Sequence, residues 1–129
     1  MGEDRMMAFA DQEPAPRMPA LNLAAVRVSY DAEGDTLQLK FSPPRPALTI
    51  DWQGGLSLRV NPETGDVYGV EIEDFSTHYL RLHPDVAAKW DALTGNALDA
   101  VPENLRVRFV KQVLREGGLW LAQRTAATG

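Results

Sequence analysis

The two histidines of the chain, His78 and His83, lie within a few residues of three carboxylates, Glu71, Glu73 and Asp74. Two imidazoles and one carboxylate form a ligand set that suits divalent iron, manganese or zinc. Asp74 and His78 would also share one face of a helix, because they are four residues apart. One hypothesis is therefore a small metal-dependent or carboxylate-dependent enzyme that uses Glu71, Asp74 and His78.

The spacing of the two histidines opposes a metal site. On one helix, residues five positions apart point about 140° away from each other, and His83 directly precedes Pro84. Structural roles also account for the acids: Glu71 falls on the polar face of a predicted strand, and Asp74 is a good residue to cap a helix. We therefore predict a strand-to-helix corner here, with no metal and no other cofactor.

Other catalytic motifs are missing from the sequence. The chain has no cysteine, which removes thiolate nucleophiles and cysteine-bound zinc. No G-x-S-x-G motif is present, and Gly54, Gly55 and Gly65 do not precede helices as a phosphate-binding loop requires. We predict no catalytic residues and a protein that is not an enzyme.

Alternating apolar and polar residues between positions 25 and 73 predict five strands with one apolar and one polar face. The runs are Val26–Tyr30, Leu37–Phe41, Leu48–Trp52, Leu56–Val60 and Tyr68–Ile72. Short gaps rich in turn residues permit hairpins, whereas the prolines of residues 43–46 predict a stiff, extended connection. We predict an antiparallel meander over residues 25–73.

Apolar residues recur at helical spacing over residues 74–120. A short helix follows Asp74, Pro84 can open a second, and Pro102 can open a third that ends at Gly117. The predicted fold class is therefore α+β: a five-stranded antiparallel meander with C-terminal helices packed on its apolar face.

Length and composition predict one domain over residues 21–129, because 129 residues with 44% hydrophobic content suffice for a single core. Residues 1–20 contain Pro14, Pro16 and Pro19 and little apolar periodicity, so we expect a mobile tail. The sequence shows neither a secretion signal nor a long apolar run. We therefore expect a cytoplasmic protein with no membrane partner.

The formal net charge of −5 opposes binding to nucleic acid, which depends on Lys and Arg. The charge is unevenly distributed, because residues 61–104 carry nine acids and the third predicted helix is basic. Arg106, Arg108, Lys111 and Arg115 are candidate partner-binding residues on that helix. The alternative is a solvated helix face whose cations meet the acidic middle of the same chain or of a second copy.

Three segments resemble a known family. YDAEGDTLQLKF (Tyr30–Phe41), PPRPA (Pro43–Ala47) and LRVNPETGDVYGVEIEDF (Leu58–Phe75) are similar to the small bacterial family called domain of unknown function 2283, over about residues 26–76. The resemblance implies the hairpin sheet and assigns no catalytic residues. Some members look like the small partners of toxin and antitoxin pairs, which act by contact.

We predict a non-catalytic interaction or regulatory module, present as a homodimer or bound to another protein, because a small sheet has edges that can pair. An antitoxin-like role is the version that the resemblance implies. Besides the enzyme hypothesis, a second alternative is a small-ligand binder with an apolar pocket near Trp52, Trp90 and Trp120, although no small-molecule substrate is assigned.

Overall fold

The structure is a computed structural model that describes residues 15–94 and 101–119. Its five strands are β1 (Arg27–Asp31), β2 (Thr36–Lys40), β3 (Leu48–Trp52), β4 (Leu56–Val60) and β5 (Val67–Ile72). Helix α1 begins as a π-helical turn (Phe75–Tyr79) and continues as Leu80–Leu82, followed by α2 (Pro84–Leu93) and α3 (Glu103–Glu116). Short 3-10 turns occupy Leu23–Ala25 and Gln53–Gly55. The predicted α+β class with a five-stranded antiparallel sheet is confirmed.

The order of the strands differs from the predicted meander. The sheet runs β1-β2-β5-β4-β3, and every neighbouring pair is antiparallel. The three prolines of residues 43–46 cannot donate backbone hydrogen bonds, so residues 41–47 cannot close a tight hairpin between β2 and β3. The segment instead crosses β5 and β4 to the far edge of the sheet, so β1 and β2 form one hairpin, and β3, β4 and β5 form two more.

The inner face of the sheet is apolar and covered by the helices. Leu39, Val70 and Leu58 are paired neighbours on β2, β5 and β4, and each is at most 1% exposed. Trp90 of α2 and Phe109 of α3 belong to the same buried cluster. Burial of this continuous apolar surface is the main stabilising contribution to the fold.

A β-bulge between β4 and β5 changes which residue enters the core. The register shifts between Arg59 and Val60, so that Val67, 1% exposed, takes the inward position. Tyr68 is half-buried, accepts a hydrogen bond from the Asn61 amide and lies under the Arg45 guanidinium. The prediction that Tyr68 belongs to the apolar face was wrong, because the extra residue of a bulge breaks the alternation.

Asp35, and not Asp74, caps the first helix. The Asp35 carboxylate accepts hydrogen bonds from the backbone N–H groups of Ser76 and Thr77 at 2.9 and 3.1 Å. Asp74 adopts a left-handed conformation (φ 50°) and makes no capping bond. A residue that caps the helix it directly precedes normally has an extended backbone, so the predicted role of Asp74 was wrong. Asp35, also left-handed (φ 49°), caps α1 from a separate turn.

Part of the predicted mobile tail is attached to the domain. The Arg17 N–H donates to the Gly65 carbonyl and the Val67 N–H donates to the Arg17 carbonyl, each at 2.9 Å. The Arg17 guanidinium also lies 2.7 Å from the Asp66 carboxylate. Residues 15–20 therefore belong with the sheet, whereas residues 1–14 of the predicted tail lie outside the described residues.

Candidate functional site: a basic groove on the outer face

The structure does not bring the predicted metal ligands together. Glu71 lies on the outer face of β5 and accepts a hydrogen bond from the Gln38 amide at 3.0 Å. Asp74 is exposed at the turn before α1, and His78 is exposed within that helix. Over residues 15–94 and 101–119, no three His, Asp or Glu side chains form a group that could hold a metal.

His83 connects the end of α1 to the end of α3 through polar and ring contacts. Its Nδ1 lies 3.5 Å from a Glu116 carboxylate oxygen, its Nε2 lies 3.2 Å from the Gly54 carbonyl, and its ring packs 4.2 Å from that of Tyr79. The Tyr79 hydroxyl is buried with no hydrogen-bond partner among the described residues. Burial and the Glu116 charge raise the pKa of Tyr79 above its ordinary value. We assign this cluster to packing.

The basic helix α3 does not present its four cations as one stripe. Arg106 is half-buried and its guanidinium donates to the Ala24 carbonyl, in the turn before β1. Arg108 and Arg115 are exposed, and Lys111 is half-buried. Arg106 is therefore held by the domain itself, and the exposed part of the predicted surface is smaller than the sequence indicated.

The tryptophans within the described residues join the helices to the sheet. Trp90 of α2 packs edge-on against Tyr30 of β1, with ring centres 5.4 Å apart. The Trp52 indole donates to the Gly117 carbonyl at 2.8 Å and so connects β3 to the end of α3. The third tryptophan of the predicted pocket, Trp120, lies outside the described residues.

A different site lies on the outer face, where residues 41–47 pass over the sheet. A groove of about 320 Å³ opens there, and its lining includes Lys40, Arg45, Arg59, Tyr68 and Gly69. Among the described residues, no acidic side chain lines this groove. Three cations therefore share one concave surface, which concentrates anions from solution.

Strand pairing positions two of the three cations. Gly69 of β5 pairs with Lys40 of β2 on one side and with Arg59 of β4 on the other. Neighbouring strands are about 4.8 Å apart, so the two cations lie on either side of Gly69, which is itself buried. A Cβ atom at Gly69 would lie 2.6 Å from the Leu39 carbonyl oxygen, which explains why only glycine fits.

The third cation comes from the proline-rich crossover. The Arg45 guanidinium lies 4.7 Å from the centre of the Tyr68 ring, a cation–π contact that leaves its charge intact. Within the described residues, no ion pair involves Lys40, Arg45 or Arg59, and the Arg59 guanidinium donates one hydrogen bond, to the Thr49 hydroxyl at 3.4 Å. Guanidinium groups bind carboxylates and phosphates through paired N–H donors. The groove can therefore hold an anionic group.

Sequence reasoning missed this groove because its cations come from three separate elements. Lys40 and Arg59 occupy outward positions of their strands, which is the only signal that the alternation gives. Their proximity depends on β5 lying between β2 and β4, an order that the sequence did not predict. The position of Arg45 depends on the path of the crossover.

Comparisons with known proteins give little further information. No family model matches the chain, and no solved structure matches it. A chloroplastic/mitochondrial DNA gyrase B protein of Nicotiana benthamiana is 28% identical over 85 residues, covering 65% of this chain and 11% of that protein. The chain thus spans 11% of the length of this relative. The resemblance to domain of unknown function 2283 stays a prediction.

Proposed function

We propose that the protein is a non-catalytic interaction module that binds an acidic segment of a partner protein in the groove on its outer face. The observation that carries the proposal is the convergence of Lys40, Arg45 and Arg59 on one groove whose described lining includes no acid. A cleft lined by charges of one sign favours ligands of the opposite sign.

The lining of the groove suits an extended chain. Residues 42–45 and Ala47 of the crossover line it together with residues of three adjacent strands, β2, β5 and β4. Carboxylates on an extended peptide would then meet Arg45 of the crossover and Lys40 and Arg59 of the strands.

Two features favour a protein partner over nucleic acid. The chain has a formal net charge of −5, so phosphates outside the groove would meet an acidic surface. Binding of single strands also uses free aromatic faces for stacking, whereas Arg45 lies over the Tyr68 ring. Nucleic acid is therefore an alternative outcome of the test and not the proposal.

Titration of a fluorescein-labelled oligoglutamate peptide, followed by fluorescence anisotropy, tests the groove. The double variant Lys40→Glu/Arg59→Glu removes two lining cations, and we expect a loss of affinity of at least about tenfold, since charged contacts contribute about 1.5 kcal/mol or more each. Arg108→Glu/Arg115→Glu is the matched control, because it changes the net charge equally on the exposed part of α3.

Three results would reject the proposal. An equal loss in both double variants would mean that the peptide responds only to net charge. Tighter binding of a labelled oligothymidylate, also lost in the groove variant, would assign the groove to nucleic acid. Absence of any saturable binding of the peptide would remove the acidic segment as the ligand.

The regulatory version of this proposal is an antitoxin-like protein that acts by contact in the cytoplasm. It is supported by the family resemblance over about residues 26–76, where some members look like partners of toxins. Within the described residues, no helix has the length and apolar character needed to cross a membrane. Native mass spectrometry of the protein from its own cells would show a second protein in the complex, and a metal or small-molecule adduct alone would oppose this version.

A further inference from the structure

One edge of the sheet is unpaired and lies beside a groove. Strand β1 pairs with β2 on one side, and no strand of the described residues pairs with its other side. A groove of about 480 Å³ is lined by the consecutive residues 24–30 together with Arg106. Consecutive strand residues point to opposite faces, so a groove that contacts all of them lies along the strand edge. The space beside β1 is therefore open to an added strand.

We propose that β1 pairs antiparallel with β1 of a second copy, about a two-fold axis through Ser29. In this register Arg27 lies opposite Asp31 of the second copy, and Asp31 lies opposite Arg27 of the second copy. Val28 and Tyr30 lie opposite each other in the same way. The strand is thus complementary to itself, as an interface between two identical copies requires.

The charges of β1 are arranged for this contact. Ser29 pairs with Gln38 on the outer face, so Arg27 and Asp31, two residues away on either side, lie on that face as well. Both are exposed, and neither forms an ion pair within the described residues. Opposite charges placed directly across an antiparallel pair are stabilising, and like charges are destabilising.

The apolar face of β1 supports the same register. Val28 and Tyr30 pair with Leu39 and Leu37 of β2, which places them on the inner face, and both are half-buried. A β-branched residue opposite an aromatic residue is a favourable cross-strand pair. Strand pairing would also satisfy the backbone N–H and C=O groups at the edge, which an unpaired edge strand leaves exposed.

The opposite edge of the sheet lacks this complementarity. Strand β3 paired with itself about Ile50 would place Thr49 opposite Asp51 of the second copy. That arrangement brings two carboxylates to the interface and no cation. The groove beside β1 shares no lining residue with the groove on the outer face. Arg27 pairs with Lys40 of the outer groove, whereas Asp31 pairs with Thr36, which does not line that groove. Asp31→Arg therefore tests the dimer separately from the proposed ligand site.

Sedimentation equilibrium of the full chain tests the pairing through charge exchange. Arg27→Asp and Asp31→Arg each place like charges opposite one another in the homodimer, and we expect each to raise the dimer dissociation constant about tenfold. An equimolar mixture of the two variants should form a heterodimer about as tight as the wild-type dimer. The double variant Arg27→Asp/Asp31→Arg should likewise restore the homodimer, and circular dichroism checks that each variant is folded.

A crosslinking experiment tests the axis directly and does not depend on the charge variants. The chain has no cysteine, so Ser29→Cys introduces one thiol at the proposed axis, and Thr49→Cys introduces one on the same face of the other edge strand. A short bis-maleimide should link Ser29→Cys into covalent dimers and leave Thr49→Cys uncrosslinked. The proposal would be overturned if the wild-type protein is monomeric or if neither charge variant changes the dimer dissociation constant. Crosslinking of Thr49→Cys alone would also overturn it.

Discussion

The Asp35 carboxylate accepts a hydrogen bond from the Ser76 backbone N–H at 2.9 Å, across 41 residues of sequence. The same carboxylate accepts hydrogen bonds from the Tyr30 hydroxyl at 2.7 Å and the Thr77 hydroxyl at 3.0 Å. These donors stabilise its charged form, led by the Tyr30 hydroxyl, and hold the pKa of Asp35 well below its ordinary value. The contact fixes the turn between β1 and β2 against the start of α1.

This hydrogen-bond network predicts a specific loss of stability in acid. Because the pKa of Asp35 is lowered in the folded state, its stabilising contribution is fully present above the ordinary pKa of 3.8 and is lost as the pH falls toward the folded value. Urea denaturation should show Asp35→Asn less stable than the wild type at neutral pH. The difference should shrink as the pH falls below the ordinary pKa.

Glu33→Gln is the control for the acid experiment. It removes one negative charge from the same turn, and the Glu33 side chain forms no hydrogen bond within the described residues. Asp66, whose pKa is lowered by hydrogen bonding to Arg17, titrates equally in all three proteins and cancels from the comparison. A difference for Asp35→Asn that stays constant through the acid range would show that its charge does not cause the effect.

The two faces of the sheet should respond differently to truncation. Leu39 is 1% exposed on the inner face, between Val28 and Val70, so Leu39→Ala should cost about 2–5 kcal/mol of unfolding free energy. Glu71→Ala removes one hydrogen bond to Gln38 on the outer face and should cost about 0.5–1 kcal/mol. Urea denaturation measures both, and Leu39→Asp should prevent folding. Equal losses for the two alanine variants would mean that the faces are assigned incorrectly.

Replacement of two arginines of α3 by alanine should also change the stability by different amounts. Arg106→Ala removes the donor to the Ala24 carbonyl, and we expect a loss of about 1–3 kcal/mol because a partly buried acceptor then lacks its partner. Arg108→Ala lies on the exposed side of the helix and should change stability by less than about 0.5 kcal/mol. Thermal denaturation of both variants compares them directly. A greater loss for Arg108→Ala would contradict a stabilising role for the Arg106 contact with Ala24.

The alternation of residue types was sufficient to predict the strands and the face of most strand residues. It correctly placed Leu39, Leu58 and Val70 in the core, because the side-chain period of a strand depends only on the local backbone. The helix that opens at Pro84 was predicted for a similar local reason, since proline suits a first helical turn. These elements can be predicted from the local sequence alone, without the contacts between distant residues.

The remaining features depend on contacts between distant residues. A periodic pattern does not state which strand lies beside which, so the position of β5 between β2 and β4 could not be predicted. Asp35 caps a helix that begins 40 residues later, while Asp74, adjacent in sequence, does not. The bulge at Arg59 likewise depends on the pairing of β4 with β5. The basic groove follows from this strand order and from the crossover path, so it became visible only in the folded chain.

Amide NMR of the isotopically labelled protein, titrated with the oligoglutamate peptide, locates the bound ligand and so distinguishes the groove from the basic helix. We expect saturable shifts at the amides of Lys40, Arg59, Tyr68 and Gly69, which line the groove on the outer face. These shifts should be lost in the Lys40→Glu/Arg59→Glu variant. Shifts confined to α3, around Arg108 and Arg115, would contradict binding in the groove and would assign it to the basic helix.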